Sequence, residues 1–177
     1  MWKLTVESDL RNLSLHEKYF EYSTSYLNAA ITFCKSLVEI EEKQTYPNGA
    51  VVLYLTFHAT ELFLKGAILK QYPDESLNSH KINEMKSRYR KIYPGRKYAI
   101  QFPFETEQSE IEIPKQNIQR IENFEFDQMY RYPIGRDGDE WQAKGMIPSF
   151  EATSFYKYLK YYQPKIAETI NIIKIIG

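Results

Sequence analysis

Apolar residues recur along this chain at alternating spacings of three and four, the period of one helical face. The first such stretch holds Tyr19, Tyr22, Tyr26, Ala29, Phe33, Leu37 and Ile40, with Leu27, Ala30, Cys34 and Val38 widening the stripe. Ser14-Leu15-His16-Glu17 precedes it and fits a capping box, in which serine and glutamate satisfy free backbone donors reciprocally. The spacing predicts a helix over 14–44, ended by a turn at Pro47-Asn48-Gly49. A second stretch, 50–71, repeats Val52, Leu55, Ala59, Leu62, Gly66 and Leu69, and Leu53, Phe57, Phe63, Leu64 and Ile68 fill the other sides. A helix apolar almost all round belongs at the centre of a fold. A third helix over 79–93 carries Ile82, Met85, Tyr89 and Ile92 and stops before Pro94-Gly95. The last, over 149–175, carries Phe155, Leu159, Tyr162, Ile166, Ile170 and Ile173, and Pro164 is expected to kink or split it.

Between 97 and 114 the period falls to two at Tyr98, Ile100, Phe102 and Phe104, and again at Ile111 and Ile113. This fits a small two-stranded excursion or extended chain lying along the bundle, and nearby prolines favour the looser form. A short helix is expected near 115–126, and the stretch from Tyr130 to Pro148 reads as loop. The fold expected is a single all-α domain, 1–177. It is a mostly up-and-down bundle of four to five main helices, with a loop-rich or small β insertion at 94–148.

Composition narrows the function classes. The 177 residues carry 23 basic and 23 acidic side chains, so a polycation is excluded while local patches are allowed. The one cysteine, Cys34, excludes an intrachain disulfide and a Cys-rich zinc site, and its place on an apolar stripe suits a buried thiol. No apolar run near the start reads as a signal sequence. The most apolar stretch, 49–69, contains Glu61 and Lys65, which membrane insertion disfavours. A cytoplasmic chain that neither spans nor needs a membrane is expected.

The segment Phe57-His58-Ala59-Thr60-Glu61-Leu62-Phe63-Leu64-Lys65-Gly66-Ala67-Ile68-Leu69 resembles the second helix of HEPN-domain proteins, an all-helical superfamily. Ser79-His80-Lys81-Ile82 and Arg131-Tyr132-Pro133 match the histidine that opens that family's third helix and the Arg-Tyr segment before its last one. The resemblance covers about 14–93 and 130–175. It implies a protein associated with RNA or nucleotide, of prokaryotic defence or toxin–antitoxin type. A homodimer, and a nucleotidyltransferase or antitoxin partner, are implied with it. Enzymatic members are metal-independent ribonucleases that use an arginine followed four to six residues later by histidine, late in the domain. No histidine follows Arg131 here, so the resemblance implies a non-catalytic or degenerate member without cofactor. The alternative is a metal-independent ribonuclease with a relocated or composite dimeric site.

His58, Glu61 and Lys65 stand at i, i+3 and i+7, on one face of the apolar second helix. Glu61 and Lys65 make a favourable i,i+4 pair, and buried charges require further partners. Arg131 is the expected third partner of Glu61. The group reads either as an internal polar knot or as a functional site. A metal site is not expected, since no second histidine pairs with His58 at helical spacing. Arg11 and His16 give the one formal match to the ribonuclease spacing, yet they straddle the Ser14 cap. The stretch 81–97 concentrates charge: Lys81, Lys86, Arg88, Arg90, Lys91, Arg96 and Lys97 face only Glu84. Tyr89, Tyr93 and Tyr98 interleave them, a pattern suited to phosphate contacts with base stacking. Seven acidic residues between Glu105 and Asp127 could instead answer that charge. Asp137-Gly138-Asp139-Glu140 lacks most of a calcium loop's pattern.

Overall fold

The computed structural model describes residues 10–77, 80–103, 130–132 and 150–176. Among them the protein is an all-α bundle of four helices: α1 (Leu15–Glu39), α2 (Tyr46–Gln71), α3 (Ile82–Ile92) and α4 (Ala152–Ile175). The Glu17 carboxylate accepts from the Ser14 backbone N–H at 2.8 Å and from its hydroxyl at 2.6 Å, which fixes the start of α1. That helix ends at Glu39 rather than running to 44, because Ile40 is extended and a 3₁₀ turn, Glu41–Lys43, follows. The next boundary also differs from the sequence expectation. Pro47-Asn48-Gly49 is not a turn but the first turn of α2, where a proline costs nothing because its missing N–H has no partner there anyway.

α2 is central, packed against α1, α3 and α4. Its most apolar window is long enough to cross a membrane, and 72% of that window is buried inside the bundle. Contacts order the neighbours. Gly66 meets Phe20, the Ser23 hydroxyl donates to the Ala59 carbonyl at 2.7 Å and Tyr26 meets His58, so α1 and α2 are antiparallel. Cys34 reaches Ala152, and Lys174 reaches Glu21, so α4 is antiparallel to α1 as well. α3 follows α2 in the same sense, since Glu61 meets His80 and Ala67 meets Tyr93. The residues between α2 and α3 therefore carry the chain back toward the middle of α2.

The buried stripe of α1 is Phe20, Ser23, Leu27, Ala30, Cys34 and Leu37, whereas Tyr22 is exposed. Small residues on that stripe let the helices approach closely, and tyrosine tolerates the wet side. A Cβ on Gly66 would lie 2.8 Å from the Phe20 ring and 3.1 Å from the His16 carbonyl oxygen, so only glycine fits this crossing. α4 continues unbroken through Pro164, which is exposed. Tyr98, Ile100 and Phe102 are buried while Ala99 and Gln101 are exposed. The period-two pattern thus belongs to extended chain along the bundle, after a 3₁₀ turn at Arg96–Tyr98. The expected helix near 115–126, the alternation at Ile111 and Ile113, and most of the expected loop 130–148 lie outside the described residues.

Candidate functional site

The middle of α2 places a carboxylate in the bundle interior. Glu61 is 4% exposed, and its Oε1 lies 2.7 Å from the Lys65 ammonium and 2.8 Å from His80 Nδ1. His58 Nδ1 stands 3.8 Å from Oε2, an ion-pair rather than a hydrogen-bond distance. Burial alone would raise the Glu61 carboxyl, but His58, Lys65 and His80 outweigh it and hold it at about 2. Lys65 is itself buried, so each charge depends on the other.

His80 was not assigned to Glu61 from the sequence, because nineteen residues separate them and no local spacing connects them. The returning segment before α3 brings it there. Its side chain is 71% exposed, and Nε2 makes no hydrogen bond among the described residues. With Nδ1 turned to the carboxylate, Nε2 is the ring nitrogen left open.

Arg131 does not pair with Glu61. Its guanidinium lies over the Tyr54 ring at 5.5 Å and beside Tyr132, while Tyr54 stacks on His58 at 5.8 Å. Lys65 and His80 already occupy the nearer Glu61 oxygen, and a flat guanidinium is well served by an aromatic face. The group that assembles is therefore His58, Glu61, Lys65 and His80, with His80 in the place expected of Arg131 and Arg131 joined through Tyr54. Among the described residues, no group of three His, Cys, Asp or Glu side chains is placed to hold a metal ion.

No contact joins Arg11 to His16 among the described residues. Arg11 lies in an exposed turn, whereas His16 contacts the Ser14 hydroxyl at 3.0 Å and the edge of Phe20. Burial lowers the His16 pKa, Glu17 opposes this, and Lys70 and Lys174 add to the lowering. Cys34 is fully buried, and burial chiefly, with Glu151 nearby, pushes its thiol up to about 11.

The basic stretch divides into three. Lys86 is buried, donating to the Pro103 carbonyl at 3.0 Å above the Phe102 ring. Arg88 makes a two-pronged pair with Glu75 and covers Tyr72. Those two leave the open patch expected of Lys86, Arg88, Arg90, Lys91, Arg96 and Lys97, and Arg88's partner is Glu75 rather than Glu105, Glu107, Glu110 or Glu112. The others, Arg90, Lys91, Arg96 and Lys97, are exposed around the C-terminal end of α3. Arg90 covers Phe102 at 6.0 Å and Lys97 covers Tyr98 at 4.9 Å. Lys91, Arg96 and Lys97 meet no carboxylate among the described residues. Beside them lies a groove of about 900 Å³ between the end of α3, the extended segment and α4.

No protein-family model matches this chain, and neither a curated protein nor a solved structure matches it.

Proposed function

We propose that the chain is an HEPN-like module that binds RNA or nucleotide through the basic end of α3. The observation that carries this reading is the exposure of Arg90, Lys91, Arg96 and Lys97 within eight residues, three of them without a carboxylate partner among the described residues. Side chains in that state release counterions when they meet phosphates, which is the main source of sequence-independent affinity. The motifs around Glu61, His80 and Arg131 supply the resemblance. A homodimer, and a nucleotidyltransferase or antitoxin partner, belong to the same proposal.

A second reading, a metal-independent ribonuclease, is favoured by one observation: His80 is held by a buried carboxylate and keeps Nε2 open. An electrophoretic shift against single-stranded RNA, with the same samples run on a denaturing gel, separates the two. The module shifts RNA without shortening it. Shortening that His80→Gln abolishes supports the ribonuclease, and neither shift nor shortening at 50 mM salt contradicts both.

A further inference from the structure

We infer that the groove between α3 and α4 stacks a nucleobase against Tyr161 while Arg96 and Lys97 hold the attached phosphate. This deepens the RNA- or nucleotide-binding reading and rests on it. The groove, at about 900 Å³, falls within the size range of small-ligand sites. One wall comes from α4, with Phe155, Tyr158 and Tyr161, and the other from Tyr93, Tyr98 and the residues around them.

Tyr161 is the ring open to a ligand. It is 56% exposed and makes no ring contact or hydrogen bond among the described residues. The rings behind it are already committed: Tyr158 stacks on Tyr162, and Tyr93 packs on Tyr98. An exposed aromatic face beside bound rings is the arrangement on which single-stranded bases stack.

Charge selects the ligand further. Among the described residues no acidic side chain lines the groove, whereas Arg90 and Arg96 do, and Lys97 stands at its edge over Tyr98. An anionic, planar ligand therefore fits better than an apolar or acid-poor one. Gln101 is exposed on the wall, and its amide can both donate to and accept from a base edge. The wall is also held in place. The Tyr158 hydroxyl donates to the Gln101 carbonyl at 3.0 Å, and the Tyr89 hydroxyl donates to the Tyr98 carbonyl at 2.8 Å. Binding thus spends little on ordering the site.

The shared chemistry is a nucleobase carrying a phosphate, from a free nucleotide or from a strand. The test measures fluorescence anisotropy of the full chain with a labelled ten-nucleotide single-stranded RNA. It is repeated with an abasic ribose-phosphate strand of equal length, and with adenosine 5′-monophosphate as competitor. Tyr161→Ala is expected to weaken the RNA by roughly five- to a hundredfold, the range for one lost stacking partner. It should leave the abasic strand within about twofold of the unaltered chain, since phosphate contacts are untouched. Competition by the mononucleotide at micromolar concentration identifies a free nucleotide as the ligand, and its absence identifies the strand; either supports the site. If Tyr161→Ala binds RNA as the unaltered chain does, the stacking site is overturned while phosphate binding stands. If the unaltered chain binds neither strand, the functional reading falls with it.

Discussion

Glu61 is the side chain on which the interior depends. Its carboxylate is buried beside Lys65 and His80, and removing it leaves a buried ammonium without its counter-charge. Glu61→Ala should therefore cost about 3–5 kcal/mol, measured by urea unfolding at pH 7. A variant that unfolds with the unaltered chain's midpoint contradicts this. The same group sets an acid limit. Its folded pKa of about 2 lies below its ordinary value of 4.5, so its stabilisation is complete above about pH 4.5 and is lost as the pH falls toward 2. The stability gap between the unaltered chain and Glu61→Gln should narrow across that window. A gap that stays constant between pH 7 and pH 2.5 shows that the carboxylate does not carry the effect. His58, Glu61 and Lys65 could be placed on one face from spacing alone. His80 could not, because its meeting with Glu61 is made by chain reversal rather than by helical period.

At the scale of elements, the crossing of α1 over α2 rests on small residues. Gly66→Ala should destabilise by about 1–3 kcal/mol, the usual cost of overpacking, because the added methyl meets both the Phe20 ring and the His16 carbonyl. Thermal unfolding checks this, and an unchanged midpoint would show that the crossing relaxes freely. The helices were legible because long apolar periods survive any local irregularity. Finer features were not. Counting tyrosines as core turned the expected face of α1 toward Tyr22, although the contact with α2 selects Ser23, Ala30 and Cys34. Pro47 read as a stop because proline breaks helix interiors, yet it sits in a first turn, where it is tolerated. The basic stretch showed its charge in the sequence but not its partners. Lys86 turns inward to a carbonyl and Arg88 binds Glu75 across the returning segment. Arg88→Gln should consequently lower the unfolding midpoint slightly rather than weaken RNA, since this pair is screened by solvent. Loss of RNA affinity without loss of stability would reassign Arg88 to the binding surface.

At the scale of the whole molecule, a neutral chain presents a basic, aromatic end where α3, the extended segment and α4 meet. The exposed ring of Tyr22 and the exposed Leu15 add apolar surface on α1. A two-fold homodimer burying more than about 1,200 Å² is expected, the lower bound of stable specific interfaces. Light scattering at micromolar concentration should give twice the chain mass of 21.0 kDa, and a value of one chain mass excludes it. If the end of α3 binds nucleic acid by its phosphates, the affinity for single-stranded RNA must fall with salt. Four contacts, from Arg90, Lys91, Arg96 and Lys97, should weaken single-stranded RNA on the order of fiftyfold between 50 and 200 mM salt. Replacing Arg96 and Lys97 together by glutamine should halve the logarithmic slope while leaving thermal stability unchanged. An affinity that does not vary with salt, or a slope the double replacement leaves intact, contradicts the account.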